Sequence, residues 1–140
     1  MTYLVDTNVF SELTRPRPDR GVQAWFAETP EDELHVSTIT VAELRRGVTR
    51  IPAGKKRAAL VTWLDFDIVQ RFRDRIIDVN VEIANTWGEL MASAEKRGFA
   101  MHPMDSFIAA TAMTRSMRLV TRNVKDFGRL EIELVNPWSA

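Results

Sequence analysis

Four acidic side chains are placed where they could do chemistry together: Asp6, Glu43, Asp105 and Asp126. Asp6 closes the short apolar run Tyr3-Leu4-Val5 and is followed by Thr7 and Asn8. Glu43 falls early in a helical pattern, Asp105 just after Pro103, and Asp126 just after the run Leu119-Val120-Thr121. Each acid also has a purely local reading. Asp6 could cap a helix, although Thr7 or Asn8 could do the same. Thr40-Val41-Ala42-Glu43 matches a capping box. Asp105 would favour a helix macrodipole, and Asp126 is a common turn former. Brought to one place, four carboxylates repel each other, and a divalent cation relieves that repulsion. An oxygen-only donor set, in a chain with no cysteine and two histidines, favours Mg²⁺ or Mn²⁺ over Zn²⁺. The chemistry such a site supports is in-line displacement at phosphorus, with a hydroxide attacking and the departing oxygen stabilised.

The elements that must position these acids alternate between strand and helix. A first strand is expected over about Thr2 to Asp6, then a helix from Thr7 or Asn8 that stops before Arg15-Pro16-Arg17-Pro18, where two prolines block it. A helix capped by Asp19 should run to Thr29-Pro30, with Val22, Trp25 and Phe26 on its core face. Leu34 to Ser37 alternates as a strand should. Helices follow over Thr38 to Arg50 and Lys55 to Phe72, the second with Leu60, Trp63, Leu64, Ile68 and Phe72 on one stripe. Arg75 to Val79 is a strand candidate. A helix over Val81 to Arg97 should close at Gly98, and another should begin at Pro103. Arg118 to Thr121 reads as a strand, Asn123 to Phe127 as a turn, and Ile132 to Val135 as a last strand. This order implies an α/β fold with about five mainly parallel strands flanked by helices. In such a sheet the carboxyl ends of the strands share one edge, where ligands sit, and the four acids fall near that edge.

Composition sets the outer bounds. At 140 residues the chain is expected to be one domain, residues 1–140, with a real core. Its 45% hydrophobic and 27% charged content is that of a soluble globular protein. The absence of cysteine rules out disulfides and suits a reducing cytoplasm. No basic and apolar leader precedes the first strand, and no apolar run approaches the ~20 residues a membrane span needs. The expectation is a cytoplasmic protein that does not engage a membrane. A net charge of zero means that any affinity for nucleic acid must be local.

Four blocks resemble the motifs of PIN-domain ribonucleases: Leu4-Val5-Asp6-Thr7-Asn8, Thr40 to Gly47, Met104 to Ala112 and Leu119 to Phe127. The similarity is greatest to VapC-type and FitB-type toxins of type II toxin–antitoxin pairs. It spans nearly the whole chain. It implies a three-layer α/β/α PIN-like fold and a Mg²⁺- or Mn²⁺-dependent endoribonuclease. It also implies three partners: an RNA substrate, a cognate VapB-type antitoxin and a second copy in a homodimer. It carries Asp6 and Asp105 over as principal metal ligands and Glu43 as the third acid. Thr121 is implied to position the cation or its water, supported by Thr7 and Asn8. The family often has a fourth acid where this chain has Asn123. An amide oxygen can ligate a metal but adds no charge, so the fourth acidic role shifts toward Asp126. One firmly bound ion, with a second recruited only with RNA, is the resulting expectation.

Arg45, Arg46, Arg50, Lys55, Lys56 and Arg57 fall in a stretch without acids between Glu43 and Asp65. Arg45 and Arg46, nearest Glu43, are the expected RNA contacts. Arg15, Arg17 and Arg20 form a second basic group. Trp63 and Trp87 sit in apolar helical patterns and read as core, as do Trp25 and Trp138. His35 and His102 are isolated, which argues against a metal-free histidine mechanism. A covalent Asp6 phosphohydrolase would need an acid at position 8, which is Asn. The alternative from another class is a catalytically weak or inactive PIN-like module that only binds RNA or protein. Asn123 supports it, and the joint presence of Asp6, Glu43 and Asp105 opposes it.

Overall fold

The computed structural model describes residues 1–139. Five strands form one sheet: β1 (Tyr3–Val5), β2 (Leu34–Ser37), β3 (Ile76–Ile77), β4 (Arg118–Val120) and β5 (Leu134–Val135). They lie in the order β3-β2-β1-β4-β5, and every neighbouring pair is parallel. The chain therefore begins in the middle strand. Leu4 is in register with Leu119 on one side and His35 on the other.

Alternation along the strands builds three layers. Successive side chains point to opposite faces, so Leu4 and Val5 enter different cores, as do Leu119 and Val120. One face packs under α1 (Thr7–Leu13), α2 (Arg20–Glu28), α3 (Thr38–Thr49) and α4 (Lys55–Thr62) with its continuation. Val5, Phe10, Val22, Val36, Leu44 and Leu64 form that core. The other face packs under α5 (Val81–Lys96) and α6 (Pro103–Arg115), through Ile83, Leu90, Ile108 and Ala109. Fully burying one such aliphatic side chain is worth roughly 1.5–3 kcal/mol. Among the described residues no helix is long and apolar enough to cross a membrane.

Several boundaries differ from the expectation. The stretch Lys55 to Phe72 is not one α-helix: α4 ends at Thr62, and Trp63–Gln70 continues as a wider π-helical coil. Its signature is the five-residue bond from Arg71 N–H to the Phe66 carbonyl at 3.2 Å. The wider coil suits the four-residue spacing of the buried Leu64, Ile68 and Phe72. Residues Asn123 to Phe127 are not a bare turn. Val124–Phe127 is a single helical turn, α7, nailed down by the fully buried Phe127. The two edge strands are shorter than the apolar runs that announced them, because pairing continues on only one side of each. The Asp19 cap, Pro103 as the first residue of α6, and Gly98 at φ +77° after α5 are as the sequence requires.

Candidate active site

Asp6 is the pivot of the carboxyl edge. Its N–H extends the central ladder to the Val120 carbonyl at 2.9 Å, which fixes its backbone between β1 and β4. It also caps α1, so the local reading and the site reading hold together. Oδ1 accepts from the Thr7 N–H at 2.8 Å, and Oδ2 accepts from the Thr121 hydroxyl at 2.8 Å. The Thr121 oxygen in turn accepts from the Asn123 N–H at 2.9 Å and from Asn8 Nδ2 at 3.3 Å. One hydroxyl thereby spends its donor and both lone pairs. Thr7, Asn8, Thr121 and Asn123 form a frame around a carboxylate that is only 4% exposed.

Glu43 is held for a different reason than its sequence context offered. The capping box with Thr40 does not form. Ser37 caps α3, accepting from the Ile39 N–H at 3.0 Å. Glu43 is left free to turn toward α1, where Oε1 accepts from the Thr7 hydroxyl at 2.7 Å. Asp105 sits in the first turn of α6. His102 caps that helix, with Nδ1 accepting from the Met104 N–H at 3.2 Å. Ser106 pins the turn to α5 by accepting from Trp87 Nε1 at 2.8 Å and donating to the Pro103 carbonyl at 2.7 Å.

Electrostatics tie the three acids into one site. Burial pushes Asp6 up to about 6, against the lowering by Thr121 and Thr7, and Asp105 and Glu43 push it further in the same direction. Burial also raises Asp105, followed by the charge of Glu43, with His102 opposing and Asp126 adding. These carboxylates sense one another and resist carrying full charge together. Asp6, Glu43 and Asp105 open into one cleft of about 380 Å³, with Thr7, Asn8 and Asn123 in its wall. Asn123 starts α7 without using its side chain as a cap. Asp126 lies one cavity away. It lines a smaller space of about 100 Å³ with His102 and Arg129, and Asp105 stands between the two.

Arginines other than Arg45 and Arg46 line the cleft. Arg45 pairs with Asp65 on the exposed surface, and Arg46 is exposed in the last turn of α3; neither lines the cleft. Arg15 and Arg122 do, together with Ser11, Glu12 and Trp138. Glu12 is buried although charged, at 6% exposure. It accepts from the Asp19 N–H at 2.9 Å and lies 3.6 Å from Arg15. Arg122 could have been found from its place directly after Thr121. Trp138 could not, because it lies outside the motif blocks and its apolar surroundings in sequence read as core.

The donor chemistry fits a hard divalent cation. Asp6, Glu43 and Asp105 offer only oxygen donors to the cleft, and burial that the Thr121 and Thr7 bonds only partly offset holds Asp6 above the ordinary carboxylate range. Among the described residues no three acidic or histidine side chains form a finished cage.

The PIN domain family model matches residues 3–132. The chain belongs to the PIN domain family. It is 35% identical to VapC ribonuclease Y4jK of Sinorhizobium fredii over 96% of both chains. It is 36% identical to Toxin FitB of Neisseria gonorrhoeae over 96% of this chain and 97% of that one. The crystal structure of FitAcB from Neisseria gonorrhoeae superposes with a TM-score of 0.93 at 34% identity, over 99% of this chain and 100% of that one.

Proposed function

We propose that this protein is an endoribonuclease that cleaves RNA phosphodiesters, and that it is the toxin of a type II toxin–antitoxin pair. The observation that carries the reading is the buried Asp6 held between Thr121 and Thr7, in one cleft with Glu43 and Asp105. The kinship with a VapC ribonuclease and with Toxin FitB supports RNA as the substrate and a cognate antitoxin as the partner. Mg²⁺ or Mn²⁺ is the cofactor of this reading, held by Asp6, Asp105 and Glu43 with Asn123 beside them. When bound, the cation would lower the pKa of a water and stabilise charge on the departing oxygen. The chain's own residues do the rest. Thr121 and Thr7 fix both oxygens of Asp6, so the carboxylate cannot turn away. The Thr7 hydroxyl holds Glu43 toward the same cleft. Asn8, donating to Thr121, keeps that hydroxyl aimed at Asp6. Arg15 and Arg122 line the opening, where they would meet phosphates entering beside the acids.

A groove of about 250 Å³ away from the acids, lined by Phe10, Leu13, Phe26, Trp63 and Phe72, offers the antitoxin an apolar seat. A homodimer is part of the same proposal.

The test is a cleavage assay on total RNA with the protein free of antitoxin, in Mn²⁺, in Mg²⁺ and in EDTA, beside Asp105→Asn. Discrete fragments that need metal and vanish in the variant are expected. Full activity in EDTA, or in Asp105→Asn, would place the chemistry elsewhere. No cleavage together with no Mn²⁺ binding would favour a module that only binds.

A further inference from the structure

The cleft has an aromatic wall that no acid requires. Trp138 lies outside the motif blocks, past the last of them, yet it lines the same cleft as Asp6, Glu43 and Asp105. Its ring is half-buried, packed against the core beneath α1 and α2. The Arg122 guanidinium lies over the ring, 5.3 Å from its centroid. Arg122 itself is exposed and lines the cleft.

The segment that carries this ring is clamped. Asp19, the cap of α2, accepts from the Ser139 N–H at 3.0 Å and from the Ser139 hydroxyl at 2.5 Å. The Trp138 N–H donates to Asn136 Oδ1 at 3.1 Å. Gly21 lets the segment come close: a Cβ there would stand 2.4 Å from the Pro137 carbonyl oxygen and 2.6 Å from the Ser139 nitrogen. Asp19 is tied back to the cleft wall, because its N–H donates to the buried Glu12. A tryptophan held against a core could serve packing alone. Packing does not explain a segment held to Asp19 by two Ser139 bonds that sets the ring beside an acidic cleft with an arginine laid across it.

We propose that Trp138 is the base-stacking residue of this nuclease: it receives an unpaired RNA base next to the phosphate at the acids, while Arg122 moves from the ring to a phosphate. The inference rests on the RNA-cleaving reading above and adds a substrate-positioning residue to it. The physical basis is that every base offers a π-face, so an indole platform orders a strand without reading its sequence. The exposed arginine supplies the charge that a carboxylate-lined cleft lacks.

The test compares wild type, Trp138→Phe and Trp138→Ala, each checked for an unchanged melting profile. The binding probe is a labelled single-stranded RNA of mixed sequence, roughly 12 nucleotides long, in EDTA so that nothing is cut. The same proteins are then assayed on total RNA with Mn²⁺. Trp138→Ala should bind the probe about tenfold more weakly, the loss of one stacked base. Its cleavage should slow at low RNA and recover at saturating RNA, a KM effect. Trp138→Phe should stay near wild type, because it keeps a π-face. Binding of Trp138→Ala within twofold of wild type, or equal losses in the Phe and Ala variants, would overturn the proposal (about twofold being the scatter such a comparison must exceed). If wild type cleaves RNA and Trp138→Ala cleaves it with the same KM, this inference fails and the nuclease reading stands. If wild type neither binds nor cleaves any RNA, both fail.

Discussion

Asp6→Asn should lower RNA cleavage about a thousandfold or more, the loss of several kcal/mol of charge stabilisation at the reacting phosphate. The same substitution should raise the melting temperature in metal-free buffer at pH 7. A carboxylate at 4% exposure, beside two other acids, is ionised at a cost when no cation is bound. Its folded pKa of about 6, against 3.8 for the ordinary group, is worth on the order of 3 kcal/mol. The sign follows from proton binding. Between the unfolded and folded values the native state holds a proton that the unfolded state does not, so stability falls as pH rises through that window. Above about 6 the penalty is complete, and below about 4 it is absent. Asparagine removes the penalty but cannot accept from both Thr7 and Thr121, because one of its positions is a donor. That lost bond returns about 1 kcal/mol. The net gain is about 2 kcal/mol at pH 7; it crosses zero between the two pKa values and turns into a loss of about 1 kcal/mol near pH 4. Thermal melts across that range in EDTA measure it. A variant that melts below wild type at pH 7 would show that Asp6 is a structural cap and not a strained ligand.

How far the sequence led can be judged at particular residues. Asp6 was found because a strand that ends in an acid, in an alternating α/β pattern, has one place to go: the carboxyl edge beside its neighbours. The parallel order and the two-sided core follow from the same alternation, with Leu4 and Val5 facing opposite layers. Glu43 was found with the wrong local partner. A capping box and a site acid look alike over four residues, and the choice fell to Ser37, which begins the helix one turn earlier. Asp126 falls near the edge in sequence but lines a neighbouring cavity with His102 and Arg129.

The cationic rim was the least legible part. Arg45 and Arg46 are next to Glu43 in sequence, but successive helical residues point away from each other, so nearness along the chain is not nearness in the cleft. Arg15 and Arg122 reach it from a loop and a strand end. Trp138 arrives only because Asp19, more than a hundred residues earlier, captures Ser139. That contact has no periodicity to betray it. The π-helical coil after α4 was hidden for a related reason: an apolar stripe at three- and four-residue spacing is compatible with either winding.

Phe10→Ala should have the opposite thermodynamic sign from Asp6→Asn, although the two residues are one turn apart on the same segment. Phe10 is 1% exposed and joins three elements of one layer. Its ring meets Phe72 edge-on at 5.7 Å and Phe26 at a tilt at 5.9 Å. Truncation removes both ring contacts and enlarges the existing groove. Neighbouring rings cannot close the space without leaving their own contacts. The expected cost is about 3–5 kcal/mol. For a chain of this size that is a fall of roughly 10–15 °C in melting temperature. The loss should be the same with and without metal and flat across pH, because no titrating group is involved. Cleavage per folded molecule should stay close to wild type. Asp6 is held by the Val120 carbonyl and by Thr121, and Thr7 holds Glu43, all independently of the ring. The measurement is a melt paired with cleavage assayed well below the variant's transition. A collapse of activity at a temperature where the variant is fully folded would mean that the apolar layer sets the geometry of the acids. Survival of activity with lost stability would show that the ladder and the threonine frame are sufficient to hold them.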